Sequence, residues 1–281
     1  MSRIFDALRK YEQERAGKKP AESGAGESQW PELLTSLDRP KADLDKVERV
    51  TCQPGPEQHI LLQAGSHDVA AERFRVLRQK LQQLQQQRSI KKLLITSPAP
   101  REGKSSTSIN LAATFSLASG RVLLICGDLR SPGVPRILGL PVTVGLAEAL
   151  EGQLEWQSSL RHVNPLGIYY LAAGETKRNP VELLQGDKMR KLAAEAGELF
   201  DWVIIDAPPV NMFADAHCLA MVSDAVLLVA RAGWTTPESF QEGLKALSDT
   251  FLAGVVFNCA EDATRRGYYS KYYRTHAAQK H

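Results

Sequence analysis

Leu93-Leu94-Ile95-Thr96-Ser97-Pro98-Ala99-Pro100-Arg101-Glu102-Gly103-Lys104-Ser105-Ser106 reads as an apolar strand, a tight turn, and a Gly-Lys-Ser that opens a helix. That order suits a nucleoside triphosphate, because successive backbone N–H groups at the turn and the helix N-terminus cradle phosphate oxygens. Arg101, Glu102, Gly103, Lys104, Ser105 and Ser106 are then the candidate phosphate-binding residues. Lys104 would reach the outer phosphates and the Ser105 hydroxyl would ligate magnesium. The regular G-x-x-x-x-G-K-[ST] pattern is incomplete, since Pro98 stands in the place of the first glycine. Gly-Lys-Ser alone also occurs as an ordinary helix start, but here Ile109, Leu111 and Ala112 continue a helical pattern after it.

Two further apolar runs end in acids. Val203-Ile204-Ile205-Asp206-Ala207-Pro208-Pro209 is a strand with a carboxylate at its C-terminal end, the edge that faces the ligand crevice in a parallel α/β sheet. Asp206 there can hold magnesium. The competing role, a helix-capping aspartate, is disfavoured by the two prolines, which keep the chain extended. Val122-Leu123-Leu124-Ile125-Cys126-Gly127-Asp128-Leu129-Arg130-Ser131-Pro132 ends at the same edge. Period-2 alternation puts Cys126 and Asp128 on one side. Asp128 can meet the metal or activate a nucleophile, and Arg130 can offset phosphate charge. An ordinary loop ion pair between Asp128 and Arg130 is the alternative.

Working outward, strands and helices alternate. The pattern predicts helices over 68–87, 105–119, 145–151, 188–199, 215–222 and 237–249. Strands are predicted over 92–96, 121–126, 168–171, 202–205, 225–229 and 252–257. Short strands that are apolar throughout are buried on both faces, as in a parallel sheet covered by helices. The expected fold is therefore α/β: a three-layer P-loop NTPase domain over 66–260 with a mostly parallel sheet. Residues 1–17 read as a short helix with Ile4, Phe5, Leu8 and Tyr11 on one face, docking on a partner or packing weakly on its own domain. Residues 18–60 are rich in Pro, Gly, Glu and Ser and read as a disordered linker. Residues 261–281 read as a flexible tail in which Tyr268, Tyr269, Tyr272 and Tyr273 are either accessible hydroxyls or a sticky aromatic segment.

Of the 281 residues, 43% are apolar and 24% charged, as in ordinary globular proteins, and the formal charge of +3 gives no argument for nucleic acid. Cys52, Cys126, Cys218 and Cys259 show no metal-ligand or disulfide spacing. No signal peptide is evident, and the apolar runs fall short of the ~18 residues of a membrane span. A cytoplasmic location is expected, with any membrane association arising through a partner.

Taken together, these elements resemble the bacterial tyrosine kinases of the CpsD/CapB type, which are related to the MinD/ParA P-loop ATPases. The resemblance runs from about Ala70 to the C-terminus. It also takes in Asn179-Pro180-Val181-Glu182-Leu183-Leu184 and Glu72-x-x-Arg75-x-x-Arg78. By spacing alone Glu72, Arg75 and Arg78 line one helix face. The resemblance implies that they contact the neighbouring subunit of a ring-like homo-oligomer. It further implies ATP and Mg2+ as cofactors, with Lys104, Asp128, Arg130 and Asp206 catalytic, Ser105, Asp128 and Asp206 holding the metal, and the four tail tyrosines as phosphoacceptors. Implied partners are a membrane-anchored activator of polysaccharide export and a tyrosine phosphatase; the implied output is control of exopolysaccharide or capsule synthesis. Two departures stand out. Cys126 replaces the first acid of the usual Asp-x-Asp, and a thiol is a poor magnesium ligand. Arg101 replaces a common glycine. A MinD/ParA-like positioning ATPase is disfavoured because Ala99 stands where that class has a lysine, and no His-Arg-Asp or Asp-Phe-Gly motif of eukaryotic kinases is present.

Overall fold

Apolar residues at every position of a strand require cover on both faces, and the computed structural model, which describes residues 44–55, 60, 69–118 and 120–260, shows that cover. The strands are β1 (Glu48–Thr51), β2 (Lys92–Thr96), β3 (Val122–Cys126), β4 (Arg161–Asn164), β5 (Ile168–Leu171), β6 (Trp202–Asp206), β7 (Ala225–Arg231) and β8 (Leu252–Asn258). The helices are α1 (Val69–Arg88), α2 (Lys104–Ser116), α3 (Gly133–Leu138), α4 (Leu146–Glu151), α5 (Pro180–Gln185), α6 (Asp187–Leu199), α7 (Asp215–Met221) and α8 (Pro237–Ala246). One sheet runs in the order β1-β4-β5-β3-β6-β2-β7-β8. Every pairing is parallel except the β4–β5 hairpin.

Alternate residues of the central strands enter two separate cores. Leu94, Leu123, Ile125, Val203, Ile205 and Leu228 pack against α4 to α8 through residues such as Leu146, Leu184, Leu192, Leu219 and Phe240. Leu93, Ile95, Leu124, Cys126, Ile204 and Val229 pack against α1, α2 and α3 through Leu81, Ile109, Phe115 and Val134. Removing a large aliphatic side chain from water contributes about 2 kcal/mol, so strands covered twice anchor the domain. This is the expected three-layer arrangement. The register sets Cys126 opposite Asp206 and Asp206 opposite Ile95. The C-terminal ends of β3, β6 and β2 are therefore level, and the loops that leave them meet.

Some expectations need correction. The compositional linker 18–60 contains β1, which pairs in parallel with β4. Cys52 is buried there, and its N–H donates to the Asn164 carbonyl at 2.9 Å. Long-range pairing outweighs local composition at this edge. The sequence also shows no sign of β4, whose Arg-His-Val-Asn buries only Val163, nor of the single-turn helices α3 and α5. Helix α2 ends at Ser116, short of the expected Ser119. Helix α8 likewise ends at Ala246 and not at Asp249. The expected N-terminal helix and tyrosine tail lie outside the described residues. Among the described residues, no helix is long and apolar enough to cross a membrane.

Candidate nucleotide and phosphotransfer site

The turn between β2 and α2 has the conformation that phosphate cradles require. Gly103 sits at φ +96°, and a Cβ there would fall 2.0 Å from Asn258 Nδ2, which donates to the Glu102 carbonyl at 3.0 Å. Glycine is needed on both counts. Arg101 adopts φ +64°, the left-handed region that costs a non-glycine residue about 1–2 kcal/mol. Its carbonyl accepts from Arg231 Nη1 at 3.2 Å, a bond that a glycine would keep. Arg101→Gly is therefore expected to raise the melting temperature by about 2 °C, the relief of strain exceeding the extra unfolded-chain entropy. Thermal denaturation of the two proteins checks this.

Glu102 is fully buried and faces inward, accepting from Ala99 N at 2.9 Å and from the Thr235 hydroxyl. Burial raises its pKa despite those donors. Its side chain braces the turn, and only its backbone borders the cradle. Lys104 and Ser105 begin α2 and point into the space between β3 and β6. Lys104 Nζ lies 3.1 Å from Asp128 Oδ2 and 4.0 Å from Asp206 Oδ2. Ser105 Oγ donates to Asp206 Oδ2 at 2.7 Å, and Ser108 Oγ reaches Asp206 Oδ1 at 3.1 Å. Asp128 also accepts from Ser131 N at 2.9 Å, which fixes the loop after β3. Ser106 lies half-buried on α2 and makes none of these contacts. Helix α3 starts against the cluster, where a Cβ on Gly133 would come within 2.7 Å of Ser105 Oγ.

The electrostatics follow from this crowding. Burial pushes the Asp206 pKa up, and Lys104 and the Ser105 hydroxyl only partly offset it. Burial works to lower the Lys104 pKa, but the charges of Asp206 and Asp128 outweigh it and hold the ammonium above its ordinary value. Ser105, Asp128 and Asp206 present hard oxygen donors of the kind that magnesium prefers. The Lys104 ammonium already stands as a cation against both carboxylates, so the donor set fits a divalent ion. Cys126 does not join it. Its side chain is fully buried, and desolvation, with Asp206 and Asp128 adding, drives the thiol pKa far up, leaving it protonated.

Arg130 does not make the alternative loop pair with Asp128. Its Nε and Nη2 donate to the two Asp215 oxygens at 2.8 and 3.0 Å, and its guanidinium lies 4.8 Å from the Phe213 ring centroid. Sequence reading missed Ser108, Asp215, Thr235 and Asn258. Ser108 follows Ser105 by three positions on one helix face, which is a usable signal. The other three come from α7, the β7–α8 loop and the end of β8, and no local pattern marks them.

No protein-family model matches the chain. Tyrosine-protein kinase YwqD of Bacillus subtilis is 33% identical over 204 residues, covering 72% of this chain and 86% of YwqD. The chain belongs to the bacterial tyrosine-protein kinases. Tyrosine-protein kinase CpsD of Streptococcus pneumoniae is 31% identical over 60% of this kinase and 76% of its own length. The kinase spans only 27% of tyrosine-protein kinase ptk of Acinetobacter johnsonii, at 32% identity over 199 residues. Among solved structures, the kinase domain of Escherichia coli tyrosine kinase ETK superposes with TM-score 0.70 at 29% identity, covering 78% of this kinase and 86% of that chain. The chimerical protein CapA2B2 gives 0.69 at 25% identity, over 76% and 95%. Cobyrinic acid a,c-diamide synthase of Mycobacterium smegmatis shares the fold alone, with TM-score 0.52 at 18% identity over 68% of this kinase and 80% of that chain.

Of the charged stripe on α1 in this kinase, Glu72 and Arg75 form an exposed ion pair at 2.9 Å. Arg78 instead turns inward, its Nη1 donating to the Thr114 carbonyl of α2 at 2.8 Å. The three residues therefore do not present one continuous charged face.

Proposed function

We propose that this kinase is a Mg-ATP-dependent autokinase that transfers the terminal phosphoryl group of ATP to Tyr268, Tyr269, Tyr272 and Tyr273 on a neighbouring subunit, and thereby controls exopolysaccharide or capsule synthesis. The observation that carries this reading is the convergence of Lys104, Ser105, Asp128 and Asp206 at the level ends of β2, β3 and β6. Lys104 exchanges its carboxylate partners for the outer phosphates and stabilises the charge that builds on them. Ser105, Asp128 and Asp206 would hold magnesium, which would supply charge neutralisation to the phosphate oxygens. Asp128 accepts the tyrosine proton as the phenolic oxygen bonds to phosphorus and the bridging oxygen departs with ADP. Arg130, tied to Asp215, supports the phosphate-facing loop after β3. Arg101, Gly103 and Ser106 contribute backbone to the cradle.

Strand β8 ends at Asn258, whose side chain touches the phosphate loop, so the last described residues lie beside the site. That position favours the tail as acceptor. A ring-like homo-oligomer is supported by the exposed Glu72–Arg75 pair flanked by exposed Val69 and Val76 on α1. Arg78 would act there through α2. The remaining parts of the reading are a cytoplasmic kinase, a membrane-anchored activator that recruits it, and a phosphatase that resets it.

Cys126 motivates a second reading, an ATP-binding regulator with little transfer activity. Intact mass after incubation with Mg-ATP, comparing wild type with Cys126→Asp, separates the two. The autokinase reading expects phosphate adducts on wild type and a Cys126→Asp rate within about tenfold of it, because Asp128 already serves as the base. A wild type without adducts and a gain of about 100-fold or more in Cys126→Asp, the scale of a missing general base, would establish the regulator instead.

A further inference from the structure

The flank of the phosphate loop opposite Lys104 is closed by the turn between β7 and α8. In the sheet, β6 and β3 lie on one side of β2 and β7 and β8 on the other. The turn is fastened to the phosphate loop at two points and closed by bonds of its own. Arg231 Nη1 donates to the Arg101 carbonyl at 3.2 Å, and the Thr235 hydroxyl donates to Glu102. Arg231 N donates to Thr235 Oγ1 at 2.7 Å, while Trp234 N and Thr235 N close the turn on the Arg231 carbonyl at 3.2 and 2.9 Å. On this clamped turn Trp234 stands 57% exposed, its ring centroid 5.6 Å from the Arg231 guanidinium carbon. The other large apolar side chains this exposed among the described residues are aliphatic or methionine. An indole held beside a phosphate cradle with an open face is a stacking surface.

Charge decides which way a nucleotide lies across the sheet edge. Its terminal phosphate must meet Lys104, Asp128 and Asp206 on the β6–β3 side. The nucleoside half then leaves across the β7–β8 side, over Arg231 and Trp234. We propose that Trp234 is the base-stacking residue of this kinase, with Arg231 fixing the indole and tying it to the phosphate loop. Stacking recognises the aromatic face and not a hydrogen-bonding edge, so the platform favours nucleotides over bare polyphosphate with weak discrimination among bases. The inference rests on the ATP reading above.

The test uses the full chain and measures binding of Mg-ATP and of magnesium tripolyphosphate by calorimetry, with tryptophan fluorescence alongside. Trp234→Ala is expected to weaken ATP about tenfold or more, the range that loss of a stacked base gives. It should leave tripolyphosphate affinity unchanged. Trp234→Phe should restore most of the loss and abolish the ATP-induced fluorescence change. Equal ATP affinity in wild type and Trp234→Ala overturns the stacking role while leaving the nucleotide site intact. Parallel losses for ATP and tripolyphosphate also overturn it, since the turn would then only shape the cradle. A wild type that binds neither compound overturns both the ATP reading and this inference.

Discussion

Lys104→Met is expected to reduce phosphoryl transfer by about a thousandfold, the upper range for loss of one preorganised charge at a site of developing negative charge. The effect is large because phosphoryl transfer relies on positioning and electrostatics. Beyond the loss of rate, the structure predicts a specific pH signature. Among the described residues, Lys104 Nζ is the cation closest to Asp128 and Asp206, at 3.1 and 4.0 Å. Asp206 already has a raised pKa from burial, so between the ordinary carboxylate value near 4 and that raised value the folded state holds the proton more tightly than the unfolded chain. Stability therefore falls as pH rises through that window. Without the ammonium the window widens upward. The melting temperatures of wild type and Lys104→Met should nearly coincide at about pH 4 and diverge toward neutrality, with the variant lower. The raised Lys104 pKa acts at the other end: while both carboxylates are charged its stabilisation is present below the ordinary lysine value, and it is lost as pH rises through the raised one. A constant offset between the two proteins across the acid range would contradict this account.

Asp206→Asn is expected to move activity and stability in opposite directions. Transfer should fall by at least about 100-fold, since changing even an outer partner of a metal ligand costs 10- to 100-fold. The folded protein without nucleotide should nevertheless melt a few degrees higher at pH 7 to 8. Asp206 is fully buried, and its raised pKa means that the fold disfavours its charge. An amide removes that charge and still accepts from one serine hydroxyl, while the other hydroxyl can rotate to accept from the amide. Lys104 keeps Asp128. The gain should shrink as pH falls through the raised Asp206 value and be gone by about pH 4, the ordinary carboxylate value. Such a trade is common where an active site holds a destabilised group. A variant that melts lower than wild type at every pH would show instead that Lys104, Ser105 and Ser108 fully compensate the buried charge.

Much of the site was legible because its chemistry is local. Gly103, Lys104 and Ser105 are consecutive, and Asp206 and Asp128 close apolar runs whose strand character follows from pattern alone. That Arg101 stands in for a common glycine was visible, and the structure adds that its backbone is left-handed. What pattern could not show was partnership. Arg130 was read as facing phosphate, with a pair to its neighbour Asp128 as the alternative, yet its hydrogen bonds go to Asp215, since side-chain partners follow spatial approach and not sequence order. Arg78 shared a helical spacing with Glu72 and Arg75, but α2 packs on α1 and offers it the Thr114 carbonyl. The edge strand β1 has an unremarkable composition and owes its place to β4.

By itself, then, the sequence determined the alternation of buried strands and helices, the phosphate cradle, and the acids at two strand ends. These depend on backbone geometry and on contacts among near neighbours in the chain. The tertiary structure alone decided that Asp206 is desolvated, that Cys126 is sealed away from the donor set, and that Trp234 is held beside the phosphate loop. Those properties arise where β3, β6, β7 and β8 bring together residues from distant parts of the chain. Burial and charge are set by everything packed around a group, and a linear pattern carries no record of that company.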